Sequence, residues 1–315
     1  MKFLLTGGSG YLGGRLAAHL RSRGHDVLIA SRSNRGKSPG CLPWPLSHEQ
    51  LAAAGEIHTI VHLASPDQRS AGTDSIAFLK TSVDLAWSAC EMTAGVRPSP
   101  ALIYLSTVHV YGANCEGLVT EEKRPEPTHP YGLGKRLAEE VVQLFRHRNG
   151  IPALCIRLSN AFGAPATPEI AQWHLLFNDL CRQAVTGDTL TLNTRSDQRR
   201  NFVTLADAAR AIEFLALRPG EWAADGLIHV GGGLNLTNAE AAELIAQRTN
   251  TLLGKTVGIR YADSAVTQPA RNFEFGTKRL ADLSFHWEND ADGEIDATLR
   301  FCVRQGGFPV AAAGG

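Results

Sequence analysis

The sequence predicts an α/β protein built on a doubly wound, mostly parallel sheet. Short apolar runs at 2–6, 27–30, 59–63, 101–105 and 153–158 alternate with stretches of helical periodicity, among them 74–93 and 131–148. That order implies a parallel sheet with helices on both faces. The first run ends in glycines at 7, 8, 10, 13 and 14, a density that is costly unless the backbone needs the space. The chain is 315 residues long and 43% hydrophobic, enough for a full core in one large or two coupled domains.

Phe3, Leu4, Leu5 and the half-polar Thr6 form the first strand. Leu12, Leu16 and Leu20 then recur at helical spacing with Ala17 on the same face, while Arg15, His19 and Arg23 lie off it and Gly24 stops the helix. The glycine spacing can be read two ways. Gly8, Gly10 and Gly13 fit G-x-G-x-x-G, and Gly7, Gly10 and Gly13 fit G-x-x-G-x-x-G. Between a strand and a helix, such a turn lets the backbone approach a pyrophosphate. The helix start supplies free N–H groups and the positive end of a dipole.

In a parallel sheet of this kind ligands bind at the carboxyl ends of the strands. After the run at 101–105 comes Ser106-Thr107-Val108-His109-Val110-Tyr111-Gly112, and some twenty residues later Tyr131-Gly132-Leu133-Gly134-Lys135 opens a strong helix. Tyr131 and Lys135, four apart, share one helix face. A tyrosine titrates near pH ~10 and is a poor base at neutrality. A neighbouring ammonium and the positive nicotinamide of an oxidised cofactor favour its phenolate. The Thr107 hydroxyl would hold a substrate oxygen beside it.

Taken together, TGGSGYLG, VHLAS, STVHVYG, YGLGK and IRLSNAFG resemble the extended short-chain dehydrogenase/reductases, and within them the NAD-dependent epimerase/dehydratase group acting on nucleotide sugars. The segment from Asp197 to Asp207 and the LIHVGGG stretch extend the likeness over most of the chain. The resemblance implies a Rossmann domain with a smaller, discontinuous substrate lobe. Residues 1–163, with a return segment at 201–231, would bind NAD(P), and 164–200 with 232–315 would hold the substrate. It implies a pyrophosphate site at Gly7, Gly10, Tyr11, Leu12 and Gly13, and further cofactor contacts at Leu63, Ala64, Ser65, Thr81 and Leu158. It gives Tyr131 as acid/base, Lys135 as its tuning group and ribose ligand, and Thr107 as the third catalytic residue. Thr107, His109, Asn160 and Arg200 would contact the nucleotide sugar, Arg200 pairing with its diphosphate. It also implies a homodimer built on the helices at 74–93 and 131–148, with Leu79, Val83, Leu137 and Val141 as apolar positions.

Three departures from the family pattern carry information. Ser31 stands where an Asp would hold a ribose 2′-hydroxyl, and Arg32 follows it; no carboxylate occurs from Val27 to His48. Ser31 and Arg32 favour NADP over the alternative, NAD. Val108 and His109 replace the Asp-Glu of dehydratases, which disfavours sugar 4,6-dehydration because valine transfers no proton. The segment from Cys41 to Ser47 lacks the usual acidic adenine contact, and Thr81 replaces an Asn. The expected reaction is hydride transfer between NADP(H) and a nucleotide-linked sugar, a keto-sugar reductase first, an epimerase second. A non-enzymatic NADP-binding sensor and a steroid- or flavonoid-type reductase stand further off, since Tyr131 and Lys135 are intact and Asn160 with Arg200 suit a diphosphate.

Composition narrows the rest. The formal net charge is zero, so nothing points to a nucleic-acid partner. The six scattered cysteines form no C-x-x-C pair and read as reduced thiols of a cytoplasmic protein, with no metal site. The first strand begins at once, so no signal peptide is expected, and no apolar run approaches membrane-spanning length. Toward the C-terminus, 168–186 reads as helix, 189–192 as strand, and 238–249 as a helix capped by Thr237 or Asn238 with Glu240 nearby. Trp173, Phe177 and Trp287 could line a pocket, but aromatics of this size are more often plain core.

Overall fold

Phe3, Leu4 and Leu5 are wholly buried, and the strand they form lies inside the main sheet. The computed structural model describes residues 1–31, 41–66, 70–113, 115–170, 172–267 and 271–306. The first half runs β1 (Lys2–Thr6), α1 (Tyr11–Ser22), β2 (Asp26–Ser31), β3 (Cys41–Pro43), α2 (His48–Ala53), β4 (Thr59–His62), α3 (Ser70–Thr73), α4 (Ser75–Ala94), β5 (Ala101–Thr107), β6 (Gly117–Val119), α5 (Pro130–Asn149) and β7 (Ala153–Leu158). The second runs β8 (Asn160–Phe162), α6 (Leu176–Thr186), β9 (Thr189–Arg195), β10 (Arg200–Thr204), α7 (Leu205–Ala216), β11 (Leu227–Val230), β12 (Leu234–Leu236), α8 (Asn238–Leu253), β13 (Gly258–Thr267), β14 (Phe273–Phe275), α9 (Lys278–Asp282) and α10 (Ala291–Arg304).

The main sheet has seven strands in the order β11-β7-β5-β4-β1-β2-β3, and its pairings are parallel, as expected for a Rossmann fold. The chain moves outward from β1 through β2 to β3, then returns to the other side of β1 with β4. The topological switch therefore lies beside β1, where such sheets bind ligands. Alternate residues of β1 serve opposite faces. Leu5 joins Leu16, Leu20 and Ile212 beneath α1 and α7, and Leu4 joins Ile60, Ala86 and Val142 beneath α4 and α5.

A separate core of Phe162, Phe177, Leu190, Ile245 and Leu299 is built by α6, α8, α10 and the strands around them. β8, β10 and β12 form a small sheet, and β11 returns the chain to the edge of the main one. Phe177 is core, and Trp173 packs against that core. Trp287 packs on the main core and donates its indole N–H to the Gly231 carbonyl at 2.6 Å. The expected helix at 168–186 is shorter: a single 3-10 turn at Pro168–Ile170 precedes Leu175, whose extended backbone starts α6 afresh. At α8 the hydroxyl of Thr237 accepts from Glu240 N while the Glu240 side chain accepts from Thr237 N, which settles the cap in favour of Thr237. Among the described residues no helix is long and apolar enough to cross a membrane.

Candidate active site

Two hollows lie at the carboxyl ends of the strands, one beside β1 and β4 and the other beyond β5. The first is a cleft of about 570 Å³ lined by Gly7, Ser9, Gly10, Ala30, Ser31, Trp44 and residues 63–65. Gly7 has φ +72°, and a Cβ there would sit 2.7 Å from the Ala64 amide nitrogen, so only glycine lets β1 turn against β4. A Cβ on Gly13 would collide with the Gly7 carbonyl and lie 2.7 Å from Gly8 Cα. Gly10 caps α1 with no side-chain hydrogen bond, leaving the first-turn N–H groups to whatever lies in the cleft. An uncapped helix start facing a glycine-walled cleft fits a diphosphate.

The other residues expected at this cleft are placed as follows. Leu12 is in the core. The Tyr11 hydroxyl donates to the Gly163 carbonyl at 2.6 Å and also meets Asn178, so the side chain ties α1 to α6. Arg15, one turn on, pairs with Glu294 and the Ala164 carbonyl, and so fastens α1 to α10. Only the backbone of Tyr11 and Leu12 can serve an anion at the helix start. Ser31 is buried at the end of β2, its Oγ 3.5 Å from Ser9 Oγ, while Arg32 lies outside the described residues. Thr81 is half-buried on α4 and Leu158 is buried at the end of β7; neither lines the cleft. Trp44, immediately after β3, does line it, and the sequence reading did not single it out.

Thr107 is the last residue of β5, and Tyr131 stands in the first turn of α5. The helix starts there because His129 Nδ1 accepts the Tyr131 N–H at 3.1 Å and Pro130 fills the first position. The Tyr131 side chain interacts with that of Thr107, and its ring lies 5.7 Å from His109 and 6.1 Å from Phe78. Burial raises the Tyr131 phenol, with the Thr107 contact opposing. In the protein alone, desolvation therefore outweighs the tuning expected from Y-x-x-x-K. The Lys135 ammonium donates to the Leu105 carbonyl at 3.0 Å and lies 5.4 Å from the Tyr104 ring centroid. Burial pushes it down to about 8, against the pull of Glu139. Glu139 is held by Ser106, Arg136 and the fully buried Arg157, whose Nε and Nη2 reach it at 3.0 and 2.8 Å.

The second hollow, about 200 Å³, opens beside this group and is walled by Val108, His109, Asn160, Arg199, Arg200 and Phe273 among others. Three residues expected to contact substrate are thus brought together from β8, β10 and the turn after β5. Arg199 is engaged with Glu240 at 2.7 Å and with the Asn235 carbonyl. No carboxylate among the described residues pairs with Arg200. Burial lowers Arg200 from its ordinary value, as expected of a cation short of counter-charge. His109 is open to the water of the hollow yet deep among protein atoms. Desolvation and then the Arg200 charge push its imidazole down to about 4, so it is neutral at pH 7. Asn160 donates Nδ2 to the Asn201 carbonyl at 2.9 Å. Gly112, Ala113, Cys115 and Gln198 complete the wall; the sequence reading assigned Cys115 and Phe273 no role there, because β6 and β14 meet only through pairing distant in the chain.

Comparison with known proteins agrees with this architecture. The family model described as "NAD dependent epimerase/dehydratase family" matches residues 3–231. A dTDP-glucose 4,6-dehydratase of Streptomyces niveus is 26% identical over 269 residues, covering 78% of this chain and 76% of its own. A Bacillus subtilis protein described as an uncharacterised UDP-glucose epimerase is 23% identical over 296 residues, covering 87% and 89%. The fold is shared with the UDP-glucuronic acid 4-epimerase of Bacillus cereus, solved with UDP-glucuronic acid and NAD. The TM-score is 0.75 at 20% identity, over 97% of this chain and 100% of that one.

Proposed function

Because the chain belongs to the NAD dependent epimerase/dehydratase family, we propose that it oxidises and re-reduces one hydroxyl-bearing carbon of a nucleotide-linked sugar, with an epimer as product. The observation that carries this reading is Thr107, Tyr131 and Lys135 standing beside a cavity that holds Arg200, which no carboxylate among the described residues pairs with. The NAD-bound epimerase of the same fold supports both the reaction class and NAD. The glycine turn and the α1 start would hold the dinucleotide, and residues 63–65 would flank it. Bound there, it supplies the hydride acceptor and a positive ring that favours the phenolate.

Within that frame the residues divide the work. Thr107 holds the sugar hydroxyl against Tyr131, and Tyr131 takes its proton as the carbon becomes a ketone. On the return step Tyr131 would give the proton back to the oxygen of a sugar turned so that its opposite face meets the bound dinucleotide. Lys135 holds the ribose and keeps positive charge near the phenol. Arg200, with Asn160, holds the diphosphate so that the sugar can turn without leaving. Val108 transfers no proton, which stands against 4,6-dehydration. Residues 1–163 with 201–231 would form the cofactor domain, and 164–200 with 232–315 the substrate lobe.

One observation favours a second reading. Ser31 puts a hydroxyl, not a carboxylate, at the end of β2, and so does not repel a 2′-phosphate. That suits NADPH and a keto-sugar reductase. A homodimer is a further part of the proposal. α4 and α5 lie side by side and expose Ile76, Trp87, Leu133, Leu137 and Leu144, while Leu79 and Val83 are half-buried and Val141 is buried. The test is incubation with catalytic NAD and, in turn, UDP-glucose, UDP-N-acetylglucosamine, UDP-glucuronic acid and dTDP-glucose, followed by proton NMR. An epimer formed without net cofactor consumption is expected. Stoichiometric NADPH oxidation by the 4-keto sugars alone would replace the epimerase by the reductase, and no reaction in either format would overturn both.

A further inference from the structure

We propose that Trp44 is the stacking platform for the adenine of the dinucleotide, a role that rests on the cofactor reading above. The direction of the cofactor follows from the sheet. Hydride chemistry belongs at Thr107 and Tyr131, over β5, on the β4 side of β1. The diphosphate belongs at the α1 start, beside β1 itself. The adenosine half must therefore run the other way, over β2 toward β3. Trp44 is the first residue beyond β3 and lines the same cleft as Gly7, Gly10 and Ser31.

The indole is also braced. Its ring centroid lies 5.9 Å from that of His62, tilted by 39°. His62 is itself fixed by a 2.6 Å hydrogen bond to Thr6 Oγ1 and stacked on Tyr104 at 5.8 Å and 24°. Trp44 is only partly buried, so part of it faces the cleft. An aromatic held from behind by a row of rings costs little further ordering when a base lies on it. Such stacking reads a π-face rather than an acidic partner, and it accounts for a cleft that lacks the acidic residue after β3.

The experiment measures dissociation constants of NADH and of ADP, which carries the adenosine diphosphate half alone, for the wild type, Trp44→Ala and Trp44→Phe. Calorimetry gives the constants, and far-ultraviolet circular dichroism checks the fold. Energy transfer from tryptophan to bound NADH, excited at the indole band, is the second readout. Trp44→Ala is expected to weaken both ligands by about 5- to 150-fold, the weight of a base–aromatic stack. Trp44→Phe should recover most of that affinity while losing part of the energy transfer. ADP bound as tightly by a folded Trp44→Ala as by the wild type would overturn the proposal and leave the cofactor reading standing. If Trp44→Ala proves unfolded, unchanged energy transfer in Trp44→Phe would overturn it. Wild-type protein that binds neither NADH nor NADPH would instead remove the cofactor reading itself.

Discussion

The cleft beside α1 is walled by Gly7, Gly10, Ser31 and the chain at 63–65, whereas the cavity beside β10 is walled by His109, Asn160 and Arg200. One presents backbone amides and a helix start; the other presents side chains delivered from three separate elements. A backbone site tolerates almost any side chain except one that fills it, and its determinants are glycines close together in sequence. A side-chain site depends on the few groups that reach it and on tertiary structure to collect them. Tyr131, whose ring packs against His109 of the second cavity, gives the sharpest way to test the division.

Tyr131→Phe should lower turnover by about 10²–10⁴-fold, since the ring and its packing against Phe78 and His109 are kept and only the acid/base group is lost. NAD affinity should barely change. Stopped-flow measurement of cofactor reduction beside a cofactor titration separates the two effects, and normal reduction in the variant would remove Tyr131 from the mechanism.

Arg200 and Arg199 sharpen the side-chain half of the contrast. Arg200→Ala should weaken UDP binding by about 10- to 150-fold, the loss of a charge-assisted contact, and Arg200→Lys should restore only part of it because the bidentate fork is gone. Arg199→Ala should leave UDP affinity within about threefold, because that guanidinium is already held by Glu240 and the Asn235 carbonyl. Calorimetric titration with UDP decides it; equal losses at both positions would assign the diphosphate to neither in particular.

Gly13→Ala tests the backbone half. The added methyl meets the carbonyl of Gly7 and the Cα of Gly8, backbone that cannot swing away as a side chain could. A loss of about 1–3 kcal/mol in stability is expected, with weaker NAD binding and UDP binding unaltered. Thermal melts and the two titrations report this, and an unchanged melting temperature would mean the turn has room that the geometry denies.

The smallest effect concerns pH. The Lys135 amine is a cation below its pKa of about 8 and neutral above it. Affinity for NAD should therefore fall as pH rises through about 8, and by no more than roughly tenfold per unit. Lys135→Met should flatten that dependence. His109, already neutral above about 4, should add no step between pH 6 and 8. A titration of NAD affinity from pH 6 to 9.5 checks both statements; a step near 6.5 would show an imidazole that is charged where burial and Arg200 should keep it neutral.

How much was legible follows the same division. The glycines, the helix at Leu12, Leu16 and Leu20, and the pair Tyr131 and Lys135 could be read because their partners lie within one turn or one helix face. Trp44 could not, because β3 is three residues long and its place beside β2 depends on pairing at Ile29, Ala30 and Ser31. Cys115 and Phe273 escaped for the same reason. The helix at 168–186 was overdrawn because its first part has helical composition but begins with a separate 3-10 turn.

The sequence by itself determined the alternation of strand and helix, the glycine turn and the placing of Tyr131 and Lys135 on one helix face, since each rests on periodicity or on near neighbours. Only the tertiary structure decided that, among the described residues, Arg200 has no paired carboxylate while Arg199 is engaged, and that burial raises the Tyr131 phenol. It also decided that the Tyr11 side chain ties α1 to Gly163 and to Asn178 of α6. Those outcomes depend on burial and on which distant groups arrive within hydrogen-bond reach. Neither quantity has a local signature in the chain, because desolvation and Coulomb interaction depend on distance in space rather than separation in sequence.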